Sequence, residues 1–323
     1  MPKGNIITEN LNKDGIDRRG FLKCMAWAGT GALCVLQGGV LKSFALGDSA
    51  IHGMHKMKGE LAFVQISDSH IGFNKAANPD VVGTLRQAIA KINALPTPPA
   101  FVLHTGDLSQ LSKAEQFDTL EQSLKEIHTD KIFYVPGEHD VLDDNGAAYR
   151  ERFAKGSIGD GWYSFDTGGA HFIGLVNVMN LKAGGLGNLG SQQLEWLEKD
   201  VKHLKSSMPI VVFAHIPLWS VYPEWGWGTS DSEQALSYLK RFGSVTVLNG
   251  HIHQTMRKVE GNVTFHTAMS TAFPQAAPGM APTPGPMKVP AEKLRSVLGI
   301  TDVNFVRGHH TLGIRDSTLD TAI

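Results

Sequence analysis

Five short motifs carry the side chains best suited to chemistry: Asp68-Ser69-His70, Gly106-Asp107, Gly137-Glu138-His139-Asp140, Ala214-His215 and Gly250-His251-Ile252-His253. Together they supply carboxylates and imidazoles and no thiol. In Asp68-x-His70 and His251-x-His253 the paired residues stand two apart, on the same side of extended backbone, so both can reach one place. Glycines at 106, 137 and 250 permit sharp turns and close backbone approach. Oxygen and nitrogen ligands without sulfur suit Mn, Fe or Zn rather than Cu(I) or an iron–sulfur cluster. A lone Asp-x-His or His-x-His carries little weight, because a structural histidine is commoner than a ligand. The ordered set of five is what points to a metal centre.

Each motif sits where an apolar run changes abruptly to polar residues or glycine. Leu61–Ile66, Ala100–Leu103, Lys131–Val135, Ile210–Phe213, Val245–Leu248 and Val263–Phe265 read as strands. Trp162–Phe165 and Ala170–Val176 read as a hairpin through Asp166-Thr167-Gly168-Gly169. Between them lie helical patterns: one capped by Asn78 or Asp80 and running to about Leu95, then Ala114–Ile127, Gln192–Leu204 and Ser232–Phe242. Strands alternating with helices define an α/β domain, whose sheets present ligands at their carboxyl edges.

The motifs, in this order, resemble those of the calcineurin-like metallophosphoesterases, whose pattern is D-x-H, G-D, G-N-H-[DE], H and G-H-x-H. The match runs from Asp68 to His253. Gly190–Leu197 and the terminal Gly-His-Ile-His are most similar to the cyclic-nucleotide phosphodiesterase-like branch. The resemblance implies a two-sheet β-sandwich flanked by helices, a four-layer α/β fold. It implies two divalent or mixed-valence ions. Asp68, His70 and His253 would hold one, His215, His251 and Glu138 the other, and Asp107 would bridge them. It further implies attack by a metal-bound hydroxide on a small phosphate ester, diester or monoester. His139 would then act as general acid at the leaving group. A non-catalytic or impaired metal-dependent binding protein on the same scaffold is the competing expectation.

The chain departs from the family at Glu138, where the pattern has Asn. A carboxylate ligates more strongly than an amide carbonyl but cannot donate a hydrogen bond to phosphate, and it lowers the net charge of the site by one. Three readings follow: a preference for diester monoanions or for one trivalent ion, a simple exchange of ligand, or an impaired enzyme. Trp219 and Trp225 follow His215 closely. They are candidates for substrate binding, stacking on a base or walling an apolar leaving group, unless the loop packs its own rings. His104 reads as buried structure, and His171 and His266 as core or as residues behind the ligands. Ala183–Gly190 lacks the Lys-Ser/Thr of a nucleotide P-loop.

With a net charge of -1 there is no global basic field to attract a nucleic-acid polymer. Arg18-Arg19-Gly20-Phe21-Leu22 followed by a Gly/Ala-rich stretch to about Leu41 resembles a twin-arginine signal, with cleavage after Ala45. That assigns residues 1–45 to the signal, with the twin-arginine export machinery as partner and the periplasm or another exported site as destination. Gln37 and Lys42 interrupt the stretch, so no stable membrane span is expected. Cys24 and Cys34 both fall inside it, which leaves the remainder without cysteine. Residues 46–58 read as a linker and 59–273 as the catalytic domain. The segment 274–323 reads as a Pro-rich arm and C-terminal extension. Residues 274–290 hold six prolines, and Pro290–Leu298 is a short helix closed by Gly299.

Overall fold

The computed structural model describes residues 32–37, 40–45, 60–129, 131–179, 181, 185–306 and 312–321. The Arg18-Arg19 pair and the linker 46–58 lie outside the described residues. Strands β1 (Ala32–Gln37) and β2 (Val40–Ala45) pair antiparallel within a separate unit, residues 1–58. The second unit, residues 59–323, carries all five motifs.

Strand β3 (Glu60–Ile66) is an almost unbroken apolar run because both of its faces are covered. It leads into helix α1 (Val81–Asn93), capped as expected by Asp80, whose Oδ1 accepts the Gly83 N–H at 2.8 Å. Then come β4 (Val102–His104), α2 (Ala114–Leu124), β5 (Ile132–Tyr134) and α3 (Ala147–Phe153). The hairpin β6 (Tyr163–Thr167) and β7 (Ala170–Gly174) follows, turning at Gly168-Gly169. Helix α4 (Ser191–Val201), β8 (Ile210–Phe213), α5 (Ser232–Leu239) and β9 (Val245–Asn249) come next. The chain continues through β10 (Met256–Glu260), β11 (Val263–Thr267), β12 (Gly299–Val306) and β13 (Gly313–Thr318).

These strands make two mixed sheets, in the orders β13-β12-β3-β4-β5 and β10-β11-β9-β8-β7-β6. Side-chain alternation assigns each strand to two different cores. Leu61 and Phe63 of β3 meet Phe172, Val211 and Phe213 of the other sheet in a shared inner core. Val64 and Ile66 face outward to Leu85 and Ile89 of α1. On the second sheet Val212 faces outward to a core with Leu194, Leu197 and Leu239 of α4 and α5. The Phe63 ring stacks on Phe101 at 4.9 Å and meets Phe172 edge-on at 5.5 Å, which locks the sheets face to face. The result is the expected helix–sheet–sheet–helix sandwich.

Two expectations need correction. Residues 299–318 are not an extension: β12 lies antiparallel beside β3, with Val303 opposite Phe63. Gly299 opens this strand rather than closing a helix, and the preceding turn is a short 3-10 helix, Ala291–Ser296. The boundary drawn at residue 273 therefore cuts through one sheet. Val303 and Phe305 point inward while Asp302 and Asn304 stay polar, so the strand alternates and never forms the apolar run that marks β3. Strand β10, Met-Arg-Lys-Val-Glu, is largely exposed and too polar to stand out as an apolar run. Among the described residues no helix is long and apolar enough to cross a membrane.

Candidate metal centre

All five motifs leave the carboxyl ends of parallel strands: β3, β4 and β5 in one sheet, β8 and β9 in the other. Backbone hydrogen bonds lace the loops together. Asp68 N–H donates to Gly106 O at 3.0 Å, His70 N–H to Asp107 O at 2.9 Å and Gly250 N–H to His215 O at 3.0 Å. The close approach explains the glycines. A Cβ at Gly137 would stand 2.0 Å from Asp107 Oδ1, and one at Gly250 would stand 2.0 Å from Ser67 Oγ.

The structure brings all seven expected ligand residues into one cluster of three carboxylates and four imidazoles. His70 Nε2, His253 Nε2, Asp68 Oδ1 and Asp107 Oδ2 group together: His70 Nε2 lies 3.2 Å from His253 Nε2 and 3.4 Å from Asp107 Oδ2, and His253 Nε2 lies 3.3 Å from Asp68 Oδ1. Beside them His215 Nε2 is 2.9 Å from Glu138 Oε2 and 3.4 Å from Asp107 Oδ2, while His251 Nδ1 is 3.0 Å from Glu138 Oε1. Asp107 Oδ2 thus belongs to both groups, and the Glu138 carboxylate spans two histidines.

These residues fit cations. Glu138 Oε2, His215 Nε2 and His251 Nδ1 are buried and make no aligned hydrogen bond, although they lie within 3.0 Å of one another's groups. Buried polar atoms are rarely left so; lone pairs aimed at a common point are what a metal ion satisfies. The second nitrogen of two imidazoles is fixed from behind. His215 Nδ1 donates to Thr105 O at 2.7 Å and His253 Nδ1 to Phe273 O at 2.5 Å, so each ring turns its Nε2 to the cluster. The backbone is held under strain as well. Asp68, His70, Asp107, His251 and His253 all adopt left-handed φ, between 42° and 71°. Such geometry costs non-glycine residues on the order of 1–3 kcal/mol each and clusters at functional sites.

Electrostatics follow the same grouping. Burial opposes charge on Asp68, yet His253 and His215 hold its carboxyl below the usual range. Burial likewise opposes charge on Glu138, and His251 and His215 pull it down. His215 is pushed up against its burial by Asp107 and Glu138. Burial, with His139 and His253 nearby, drives His70 down to about 3, the neutral form a ligand needs.

His139 stands at the edge of this cluster beside His70 and Asp107. Its Nδ1 donates to Gln110 O at 2.8 Å, which leaves Nε2 free, and its backbone N–H donates to Asp107 Oδ1 at 3.0 Å. Burial opposes protonation of the ring, but Asp107 and Glu138 outweigh it and raise its pKa. Asp140 does not pair with His139. It accepts the N–H groups of Leu108, Ser109 and Gly137 at 2.8–3.0 Å and so ties the two loops together.

Gln110, Thr105 and Phe273 were not anticipated. All three act through backbone carbonyls, which leave no trace in a sequence. Trp219 packs against Phe265 with ring centroids 5.0 Å apart in the outer core of the second sheet. Trp225 is 8 % exposed and clusters with Trp227 and Ile252. Both rings are buried in packing. His104 is fully buried, as expected. His266 pairs with Asp316 at 3.0 Å, joining β11 to β13 rather than supporting the ligands.

A family model for the calcineurin-like phosphoesterases matches residues 61–255. The chain belongs to that family and is a metal-dependent phosphoric ester hydrolase. It is 26% identical over 219 residues to a 3',5'-cyclic-nucleotide phosphodiesterase of Nostoc sp., covering 66% of this chain and 79% of the relative. It is 28% identical over 221 residues to the serine/threonine-protein phosphatase CPPED1 of Mus musculus, covering 61% and 70%. Its fold matches a dimetal phosphatase from Danio rerio with a TM-score of 0.61 at 16% identity, over 80% of this chain and 96% of the other.

Proposed function

We propose that this chain hydrolyses small phosphodiesters at a dinuclear centre, with Asp68, His70 and His253 on one ion, Glu138, His215 and His251 on the other and Asp107 shared. The observation that carries the reading is the convergence of seven donors, five of them held in left-handed backbone, with unsatisfied lone pairs facing one another. When bound, the two ions supply a nucleophilic water and neutralise charge on the phosphoryl oxygens. The chain's own residues do the rest. Asp68 is oriented by the His251 N–H at 3.1 Å, and Asp107 by the His139 N–H. Asp140 fixes the loop that carries both Glu138 and His139. As the water oxygen bonds to phosphorus and the P–O bond to the alcohol breaks, His139 Nε2–H gives its proton to the departing oxygen.

Glu138 supports the preference for a diester. It spans His215 and His251 as an additional negative charge that an Asn would not bring. A monoanionic diester meets less repulsion there than a dianionic monoester. The test is hydrolysis of an aryl diester and an aryl monoester with added manganese. The wild type should favour the diester by about tenfold, roughly 1.4 kcal/mol of discrimination, and Glu138→Asn should move the ratio toward the monoester. Equal ratios in the two proteins would remove Glu138 from the explanation. Manganese, iron and zinc all suit this oxygen and nitrogen donor set.

The same proposal places the protein outside the cytoplasm by the twin-arginine route, on the Arg18-Arg19 pair. Cell fractionation of the wild type and of a variant with Arg18→Lys and Arg19→Lys tests it. Equal export of both would count against the signal.

A further inference from the structure

We propose that Leu111 and Leu142 form an apolar seat for the leaving alcohol, so that this site selects esters of apolar, alkyl-bearing alcohols. The inference rests on the reading of His139 as the residue at the leaving group.

Only five large apolar side chains stand exposed among the described residues, and two of them, Leu111 at 47% and Leu142 at 55%, sit on the two loops bonded to one another around His139. Leu111 follows Gln110, whose carbonyl holds His139 Nδ1; Leu142 lies three residues after His139. The two loops run side by side and are fastened at every step. Ser109 Oγ donates to Asp140 Oδ1 at 2.9 Å, Ser112 Oγ donates to His139 O at 2.8 Å and Leu142 N–H donates to Ser112 Oγ at 2.9 Å. One residue further on, Lys113 Nζ pairs with Asp143 at 2.9 Å. Leu111 N–H is tied in turn to Gln116 Oε1 at 2.8 Å, and Ser112 takes a left-handed φ of 54° to complete the arrangement.

Half-exposed leucines on mobile loops would need no explanation. Here one left-handed residue and five side-chain bonds fasten the loops that carry two of them to each other and to the main chain of His139. Lys113, two residues after Leu111, pairs with Asp143, one residue after Leu142, so that cation is engaged beside the two leucines. The aromatic residues that a sequence reading would choose for the task, Trp219 and Trp225, are buried in packing. An apolar group pinned next to a reacting centre discriminates through the methylenes it covers, at tenfold or more.

The experiment compares methyl phenyl phosphate with methyl 4-hexylphenyl phosphate, whose phenols leave with nearly equal ease. Both are assayed with manganese on the full-length protein and on the Leu111→Asn/Leu142→Asn double variant. The expected result is a kcat/KM ratio of about tenfold in favour of the hexyl ester, carried by KM, that falls to near unity in the variant. Thermal melting checks that the variant is folded, which surface substitutions of this kind permit. A wild-type ratio near unity, or a ratio that survives the double substitution, overturns the seat while leaving the hydrolase reading intact. Turnover of neither ester, in protein shown to hold two metal ions, overturns the diester reading and this inference with it.

Discussion

On the Asp68, His70 and His253 side of the cluster the side chains are at most 3% exposed, whereas across Asp107 the side chains of Glu138 and His251 are 24% and 12% exposed. The sealed half is enclosed by Phe273, which packs on both His70 and His253 at ring distances of 4.7 Å. The open half carries the residue that departs from the family pattern. The contrast teaches a division of labour. On the proposed reading, an ion in the sealed half would be shut off from solvent, while one in the other half would meet solvent and substrate on the side of Glu138 and His251, although His215 there is also fully buried.

The strongest way to break this picture is to remove the shared residue. Asp107→Asn should abolish uptake in both halves and lower kcat/KM by about 10³-fold, the scale of a lost electrostatic stabiliser; elemental analysis beside kinetics decides. His139→Gln should lower kcat by roughly 10²–10⁴-fold while both ions stay bound, with the smallest loss on substrates whose alcohol leaves readily. Glu138→Ala separates the halves. One ion should remain bound, and affinity for the second should fall by at least ~10–100-fold, the loss seen when even an outer partner is disturbed. Retention of both ions at wild-type affinity would erase the distinction.

Gly250→Ala probes the sealed half by shape alone, since the new Cβ would press on Ser67 Oγ at 2.0 Å and Asp68 Oδ2 at 2.7 Å. Its cost should be a thermal midpoint lowered by several degrees, in the range of an overpacked core at about 1–3 kcal/mol. The smallest effect lies away from both halves. His171 sits between Asp200 at 2.9 Å and Asp166 at 2.7 Å; burial opposes its charge, yet the two carboxylates raise its pKa above 6.5. A raised histidine stabilises the fold fully below 6.5 and loses that contribution as pH climbs through the folded value. Asp200→Asn should therefore lower the melting temperature by about 2–4 °C near pH 5.5 and by less near pH 9. The reverse order would mean that His171 is not charged in the folded protein.

The cluster was legible because each of its residues follows an apolar run that ends abruptly, but the extended backbone expected at Asp-x-His and His-x-His is left-handed at all four residues, and His251 and His253 fall in different groups. What was hidden is what lies across the fold. Gln110 O behind His139 and Thr105 O behind His215 are main-chain atoms that any residue would provide. Trp225 looked like a surface for substrate because aromatic residues near a motif carry the same signal whether buried or open. Strand β12 was missed because its inward residues, Val303 and Phe305, are separated by polar Asn304 and preceded by a proline-rich stretch. The polarity of a half-covered strand resembles that of a loop.

That late strand has a consequence for synthesis. Until residues 299–306 have left the ribosome, β3 has no neighbour on the side away from β4. Asp68 and His70 hang from the end of that half-paired strand. An open edge of this kind invites pairing with other chains. Nascent polypeptide stalled just short of residue 299 should accordingly self-associate, and emergence of residues 299–306 should end that association.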